Sequence, residues 1–410
     1  MPAKSVHLLY LTAEQWPTFR ADLIALFGKY LPRQGVSCDL ATERDAASRG
    51  QPVPPWPAGQ ALLCDVPASR AAQYGAKLWH LLRVLAGADA RRYGAIQVRD
   101  MGLTAWFALL AARLKGLQFY YWLSYPQSEG QIDRARARGP RAGLRYWFPL
   151  LQGSFGRWLL YRVVLPRADH VFVQSAQMLE DVAAQGVARE RMTAVPMGVD
   201  LELANPAALA PAVDARLDGR RVIAYLGTLD RVRQIDILFE MLVQVRAAVP
   251  EVLLVLAGDT EDAEHRAWLQ QQIVRLGVQE QVLWLGWRPA GEAWGYMRRA
   301  ELGLSPFPRS FLLDSASPTK AIEYMGLGLP VVCNDNPDQR QVIAESGAGL
   351  CVPLQSAAFA EAVVRLLGDP PTMRRMGEQG RAYVAARRGY DQLARQVAAV
   401  YLALAERNNA

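Results

Sequence analysis

The sequence predicts an α/β chain built from two Rossmann-like, doubly wound parallel-sheet domains. Three observations carry that reading. Short apolar runs alternate with stretches of helical spacing along the whole chain, the rhythm of βαβ units. The rhythm begins twice, near residue 6 and again near residue 222. And 410 residues exceed what one hydrophobic core usually holds.

In the first half, residues 6–11 read as a strand and 19–31 as a helix, with Phe19, Leu23, Leu26, Phe27, Tyr30 and Leu31 at helical spacing. Strands follow at 96–98, 119–123 and 170–174, with helices at 103–114 and 176–185. In the second half, strands are expected at 222–226, 252–257, 282–285, 302–305, 331–332 and 350–352. Helices at 235–248, 265–276 and 293–298 separate them. Residues 195–214 hold Pro and Gly with weak periodicity and read as the linker. The domains are therefore expected at 1–198 and 199–385, with a final helix, about 386–410, packing back on the first.

Composition narrows the chemistry. The formal charge of +7 and a pI near 9.3 suit an anionic partner. Four scattered cysteines without C-x-x-C suit a reducing compartment. Four histidines form no H-E-x-x-H and none adjoins a cysteine, so no metal site is expected. The N-terminal MPAKSVHLLYLTAEQW has too short an apolar run for a secretion leader. No run reaches the length of a membrane span. A cytoplasmic protein is expected.

One stretch, SPTKAIEYMGLGLPVV at 317–332, reads as a short helix running into a strand. In an open parallel sheet, ligands sit beyond the carboxyl ends of the strands, and this helix follows the strand at 302–305. Ser317 is placed to cap it and Pro318 suits its first turn. The amides of Thr319 and Lys320 are then left for a phosphate, an arrangement worth about 0.3–1 kcal/mol and up to ~2 when partly buried. Lys320 adds a full charge. Glu323 lies one turn on and is placed for the two hydroxyls of a ribose. On spacing alone, a surface Lys–Glu pair fits equally well.

The stretch resembles the donor-binding motif of GT-B glycosyltransferases, specifically the large retaining family 4. Glu323, Tyr324, Met325, Gly326, Gly328, Pro330, Val331 and Val332 match its second half. GVD at 198–200, AGD at 257–259, LGW at 285–287 and VFVQS at 171–175 fall in the family's order. The resemblance covers nearly the whole chain and implies two domains facing across a cleft. It places Gly227 and Thr228 at the end of the first strand of the second half, and Arg231 and Arg233 in the loop that holds the donor diphosphate. It adds Asp259, Trp287 and Arg288 to the donor site, beside Asp314, Ser315, Ser317, Pro318, Thr319 and Glu323. Ser315 stands where the family's first acid usually falls, with Asp314 one residue earlier. The glycine pair expected after the first strand is replaced by EQWPTFRADL, and the usual first-domain histidine by YYWLSYPQSEG. Asp100 and Glu129 are the acidic candidates on that side.

Retaining transfer on this pattern requires the protein to stabilise charge on a departing nucleoside diphosphate. Arg231, Arg233 and Lys320 are the residues expected to do so. No D-x-D occurs, so no cofactor is expected beyond the UDP- or GDP-sugar co-substrate. Residues 134–168 contain no acid and eight arginines, among them Arg138, Arg141, Arg145 and Arg157, interleaved with Trp147, Phe148 and Trp158. That mixture suits an anionic membrane face or a phosphate-linked acceptor, or else an apolar core with a solvated basic face. No nucleic-acid motif accompanies it. The reading is a glycosyltransferase acting in polysaccharide or cell-envelope glycan synthesis. Its acceptor is a glycan or a polyprenyl-phosphate-linked one, at the inner face of a cytoplasmic membrane. A silent GT-B subunit that binds a membrane or partner, and a GT-B sugar-nucleotide epimerase, are the alternatives. A dinucleotide dehydrogenase fits poorly, because no G-x-G-x-x-G follows either first strand.

Overall fold

The structure, a computed structural model, describes residues 5–48, 50–67 and 69–409. Residues 1–4 of the stretch weighed as a leader, and residue 410 of the closing helix, lie outside the described residues. The chain divides into two compact units, Met1–Pro196 with Tyr390–Ala410, and Met197–Gly389.

The first unit is a parallel sheet of β1 (Val6–Leu11), β2 (Val36–Glu43), β3 (Ala61–Cys64), β4 (Ala95–Arg99), β5 (Gln118–Leu123), β6 (His170–Val173) and β7 (Met192–Ala194). Their order is β3-β2-β1-β4-β5-β6-β7, so the winding reverses between β1 and β4. The strands are buried on both faces, as a helix-covered parallel sheet requires. One face carries Leu9, Ile96, Val98, Phe119, Tyr121 and Val171. The other carries Leu8, Tyr10, Tyr120, Trp122 and Phe172, and there the last helix, Tyr390–Asn409, sets Leu393, Val397, Tyr401 and Leu404. Tyr401 donates to Gln97 Oε1 at 2.5 Å, and Gln118 Nε2 donates to the Leu404 carbonyl at 3.0 Å.

The second unit repeats the design with β8 (Arg221–Leu226), β9 (Val252–Ala257), β10 (Val282–Gly286), β11 (Leu302–Ser305), β12 (Val331–Asn334) and β13 (Gly349–Val352). Their order is β10-β9-β8-β11-β12-β13, reversing between β8 and β11. Tyr324, on the helix Thr319–Gly326, locks that reversal. Its hydroxyl accepts from the Leu226 amide at 2.7 Å and donates to the Leu304 carbonyl at 3.2 Å. Its ring lies so close to β11 that a Cβ on Gly303 would meet it at 2.2 Å. Glycine is required there by packing.

Four expectations change. Phe19 is fully exposed, because the helix begins only at Asp22 and winds as a π-helix to Tyr30. The stretch read as a linker is mostly packed: from Met197 onward it belongs to the second unit, where Val199 and Ala204 enter the core. Ser317 does not cap the helix; Pro318 occupies the cap position with no side-chain bond. The Ser317 hydroxyl instead accepts from the Met197 amide at 3.0 Å and donates to Asp338 Oδ2 at 2.9 Å. Finally, the basic stretch divides. Leu159, Leu160, Tyr161, Val164 and Leu165 are core, whereas Leu144, Trp147, Phe148, Leu151, Phe155 and Trp158 are exposed.

Candidate donor site in the second unit

The reversal between β8 and β11 is where an α/β sheet of this winding offers its crevice. Three chain turns converge there. Gly227 ends β8 with φ +129°, and Gly258, just past β9, has φ +147°. A Cβ on Gly258 would meet the Gly227 carbonyl at 2.0 Å, so both conformation and space demand glycine. The Lys320 side chain lies over Gly227; a Cβ there would meet Lys320 Cε at 2.8 Å. Lysine and glycine are thus one unit of the site, which spacing alone does not reveal.

Lys320 is buried, with Nζ 5.3 Å from the centre of the Tyr225 ring. Burial, then the neighbouring Arg233 charge, pulls its pKa down from 10.5 to about 7, against weaker support from Glu323 and Asp230. Its ammonium therefore sits in a site short of negative charge. Arg233 stacks on the Phe307 ring at 4.7 Å, and its Nε and Nη1 are buried without a hydrogen-bond partner. Leaving such donors unmatched costs on the order of 1–3 kcal/mol, more for a charged group. Burial raises the Glu323 carboxyl above its ordinary value, with Lys320 opposing. Together these groups present two cations, one of them with two idle donors, beside strand-end glycines and a helix start whose first amides have no intrahelical acceptor. The arrangement is matched to a polyanion.

A buried ion pair holds this helix start in place. Arg388 Nη2 meets Asp338 Oδ1 at 2.5 Å, and Arg388 Nη1 donates to Ser317 Oγ at 3.3 Å and to the Met197 carbonyl at 3.3 Å. Burial opposes the Arg388 charge, but Asp338 outweighs it and raises the pKa. Sequence reading missed this pair, as well as Phe307 and Tyr225. Only Tyr324 had carried a signal, through the motif.

The other expected donor residues are spread more widely. Arg231 is exposed and pairs with Asp262 at 3.4 Å, so a ligand would have to draw it away. Thr228 offers its carbonyl to the Tyr225 hydroxyl at 2.9 Å. Asp259 is buried and engaged by Arg266 Nε at 3.0 Å and the Thr260 amide at 2.9 Å. Trp287 is exposed, and Arg288 faces Glu292 at 3.8 Å. Asp314 is held by Arg309 at 2.6 Å, and Ser315 is buried with its hydroxyl on the Phe311 carbonyl at 3.1 Å. Pro318 is buried and Thr319 half-buried at the helix start. No group of three or more His, Cys, Asp or Glu is arranged to hold a metal among the described residues.

The "Glycosyl transferases group 1" model matches residues 211–383, the unit holding these cations. The "Glycosyl transferase 4-like domain" model matches residues 24–198. The chain belongs to the group 1, family 4 glycosyltransferases. Among curated relatives of this family, the D-inositol 3-phosphate glycosyltransferase of Nocardia farcinica is 25% identical over 285 residues, 65% of this chain and 61% of that protein. A counterpart in Segniliparus rotundus is 28% identical over 199 residues, 47% of this chain and 43% of its own. The matches thus span less than two thirds of either relative's length. Among solved structures, the sucrose-phosphate synthase of Thermosynechococcus elongatus superposes with a TM-score of 0.71 at 19% identity, covering 97% of this chain and 99% of that one. Anabaena HepE in complex with UDP gives 0.69 at 18% identity, covering 97% and 100%. The fold of this family 4 chain is GT-B.

On the first unit, Asp100 and Glu129 differ in kind. Asp100 takes a left-handed backbone, φ +56°. Its carboxylate accepts the amides of Ser124 at 2.7 Å and Tyr125 at 3.2 Å, and the Ser124 hydroxyl. Burial raises its pKa, opposed by Arg99. Its bonds make it a turn-former at the strand ends. Glu129 lies in the first turn of the helix Gln127–Arg138, buried, with Oε2 unpartnered. Burial raises its pKa as well, while the Tyr161 hydroxyl lowers it. The helix Leu144–Trp158 turns its exposed apolar residues along one side, with Arg138, Arg141, Arg145 and Arg157 exposed nearby in sequence.

Proposed function

We propose that this chain transfers a glycosyl group from a nucleotide-sugar donor, UDP- or GDP-linked, to a glycan or lipid-linked acceptor, with retention at the sugar carbon. The observation that carries the reading is Arg233: a guanidinium on an aromatic platform with two idle buried donors, beside a lysine whose charge has no close match. A diphosphate supplies what both groups lack. Each charged hydrogen bond so formed is worth roughly 1.5–3 kcal/mol. As the bond to the sugar breaks, charge grows on the departing phosphate, and Arg233, Lys320 and the helix-start amides stabilise it. Arg231 joins on release from Asp262. Glu323 takes the ribose hydroxyls. Neutralisation then falls to side chains, and transfer is expected to survive EDTA. HepE in complex with UDP-glucose, a GT-B neighbour at 17% identity, supports the donor class.

The acceptor side is read from the first unit. The exposed residues Leu144, Trp147, Phe148, Leu151, Phe155 and Trp158 recur at helical spacing beside arginines, the make-up of a helix lying in an anionic membrane interface. Among the described residues, no helix is long and apolar enough to cross a membrane.

A thermal-shift panel of nucleoside diphosphates and their sugars tests the donor reading. The matching ligand at a hundred times its dissociation constant adds about 2.7 kcal/mol of stability. A panel in which no nucleoside diphosphate shifts the midpoint rejects it. Sedimentation with anionic vesicles, lost in high salt, tests the membrane reading; equal binding to neutral vesicles rejects that part.

A further inference from the structure

Two adjoining cavities open on the first unit, at the carboxyl ends of its strands. The larger, about 410 Å³, is walled by Leu11 of β1, Ala41 of β2, Cys64 of β3, and Leu81, Val84 and Phe107 from the helices Arg70–Ala86 and Gly102–Lys115. Its lining is mostly hydrocarbon. The smaller, about 330 Å³, is mixed: Leu123, Phe155, Leu159 and Leu160 give it an apolar side, and Asp100, Tyr125, Gln127, Ser128, Gln131 and Gln152 give it a polar one. Met101, Leu103 and Thr104 line both. The larger one reaches the reversal of winding between β1 and β4, through Leu11 and Met101, the position at which an open α/β sheet binds ligands, and the smaller continues it over the ends of β4 and β5. Each volume falls at the small end of the ~300–1,000 Å³ typical of ligand sites.

The rim of the larger cavity is apolar and uncovered. Tyr74 is 78% exposed, Leu78 48% and Leu103 57%, though all three line it. Trp79 and Leu82, on the same helix as Tyr74, are exposed too. Uncovered apolar side chains gathered at one mouth mark an entrance for apolar matter. Lys77, the cation on this wall, is already bound by Glu43 at 2.6 Å. The smaller cavity has no lysine or arginine among its described lining residues. Its amides, hydroxyls and one carboxylate offer neutral hydroxyl groups both donors and acceptors, whereas a phosphate would meet no counter-charge and one like charge, Asp100.

We infer that the two cavities are one acceptor site for a neutral glycolipid-type amphiphile. A single hydrocarbon tail occupies the larger cavity, and a hydroxylated head lies against the polar side of the smaller one beside Asp100. This deepens the transfer reading and rests on it, by naming the chemical class of acceptor.

The test is a homologous series of n-alkyl glucosides, butyl to decyl, titrated calorimetrically below their micelle concentrations. Affinity rises about fourfold for each added methylene until the cavity is full. Leu78→Glu, at the exposed rim, and Ala41→Phe, which fills the cavity, flatten that rise. If Ala41→Phe loses its cooperative melting transition, Leu78→Glu alone decides. Three results overturn the site: affinity independent of tail length, an unchanged slope in Leu78→Glu, or n-alkyl phosphates binding more tightly than the matching glucosides. The two readings fail separately. A chain that binds the series but no nucleoside diphosphate loses the transfer reading and keeps the amphiphile site. A chain that transfers to free glucose as readily as to decyl glucoside loses the amphiphile site alone.

Discussion

The two units bury charge at the carboxyl ends of their sheets in opposite ways. In the first, Arg99 at the end of β4 lies against Asp22 at 2.7 Å, with Ser124 Oγ at 3.2 Å from its Nε. Burial works against the Asp22 carboxylate, yet Arg99 and Arg20 hold its pKa below the ordinary value. Arg20 in turn reaches Glu14 at 2.7 Å. Charge there is met by charge from the chain itself, although one Arg99 donor, Nη1, has no partner. In the second unit, Lys320 and Arg233 lean on aromatic rings, the Arg233 charge works against that of Lys320, and Arg233 leaves two donors idle. A buried cation answered by a carboxylate serves the fold; a buried cation without one has charge to spare for an anion. The residue types are similar, and the partner decides the role.

The largest expected effect is a break in the closed cluster. Arg99→Met strands Asp22 in the core and costs about 3–5 kcal/mol of stability, read by urea unfolding. Arg99→Met with Asp22→Leu recovers most of it; a double variant as unstable as the single would mean that the pair is not what matters. Next comes the open cluster. Arg233→Ala reduces turnover by the equivalent of ~2.7–4 kcal/mol and keeps its melting curve, whereas near-normal turnover would place Arg233 outside the reaction. The comparison sharpens at the turn beneath it. Tyr324→Phe removes the hydroxyl between Leu226 and Leu304 and costs about 1–3 kcal/mol, measured by denaturant midpoint at unchanged slope.

The remaining effect has a pH signature. The folded Lys320 pKa, about 7, lies below its ordinary 10.5. Between those values the unfolded chain holds a proton that the folded one has released, so this group makes stability rise with pH. Below pH ~7 the penalty of the buried charge is fully present. Lys320→Met therefore raises the unfolding midpoint near pH 6, by about 2–4 °C per kcal/mol gained, and the gain fades toward pH ~10. A gain that is the same at both pH values would show the ammonium to be matched already. A diphosphate reverses the sign, since it holds the lysine charged.

Most of the second unit was legible because its strands are uninterrupted apolar runs, such as Val252–Ala257. β2 was not. Asp39 sits in its middle, fully buried, and the sequence does not show that Tyr93 donates to it at 2.7 Å and that Arg92 pairs with it from 53 residues away. β3 and β7 are too short, at four and three residues, to show a period. Phe19 looked like part of a helix face because spacing takes no account of where winding starts. At the site, Lys320 and Glu323 were named from the helix-start pattern, and Gly227 and Arg233 through the family resemblance. Phe307, Asp338 and Arg388 escaped, since each acts through contacts formed only once the strands have assembled. The Ser317 cap failed for the same reason: its hydroxyl was claimed by Asp338 and Met197.

The closing helix has a consequence for synthesis. Tyr401 and Leu404 complete a core begun at Val6, so the half translated first is the half finished last. On the ribosome the second unit, Met197–Gly389, has all its strands before the first can seal its apolar face. Until the last twenty or so residues emerge, Tyr120 and Phe172 lack the Tyr401 ring that packs on them, the kind of uncovered apolar surface that makes incomplete chains prone to aggregate.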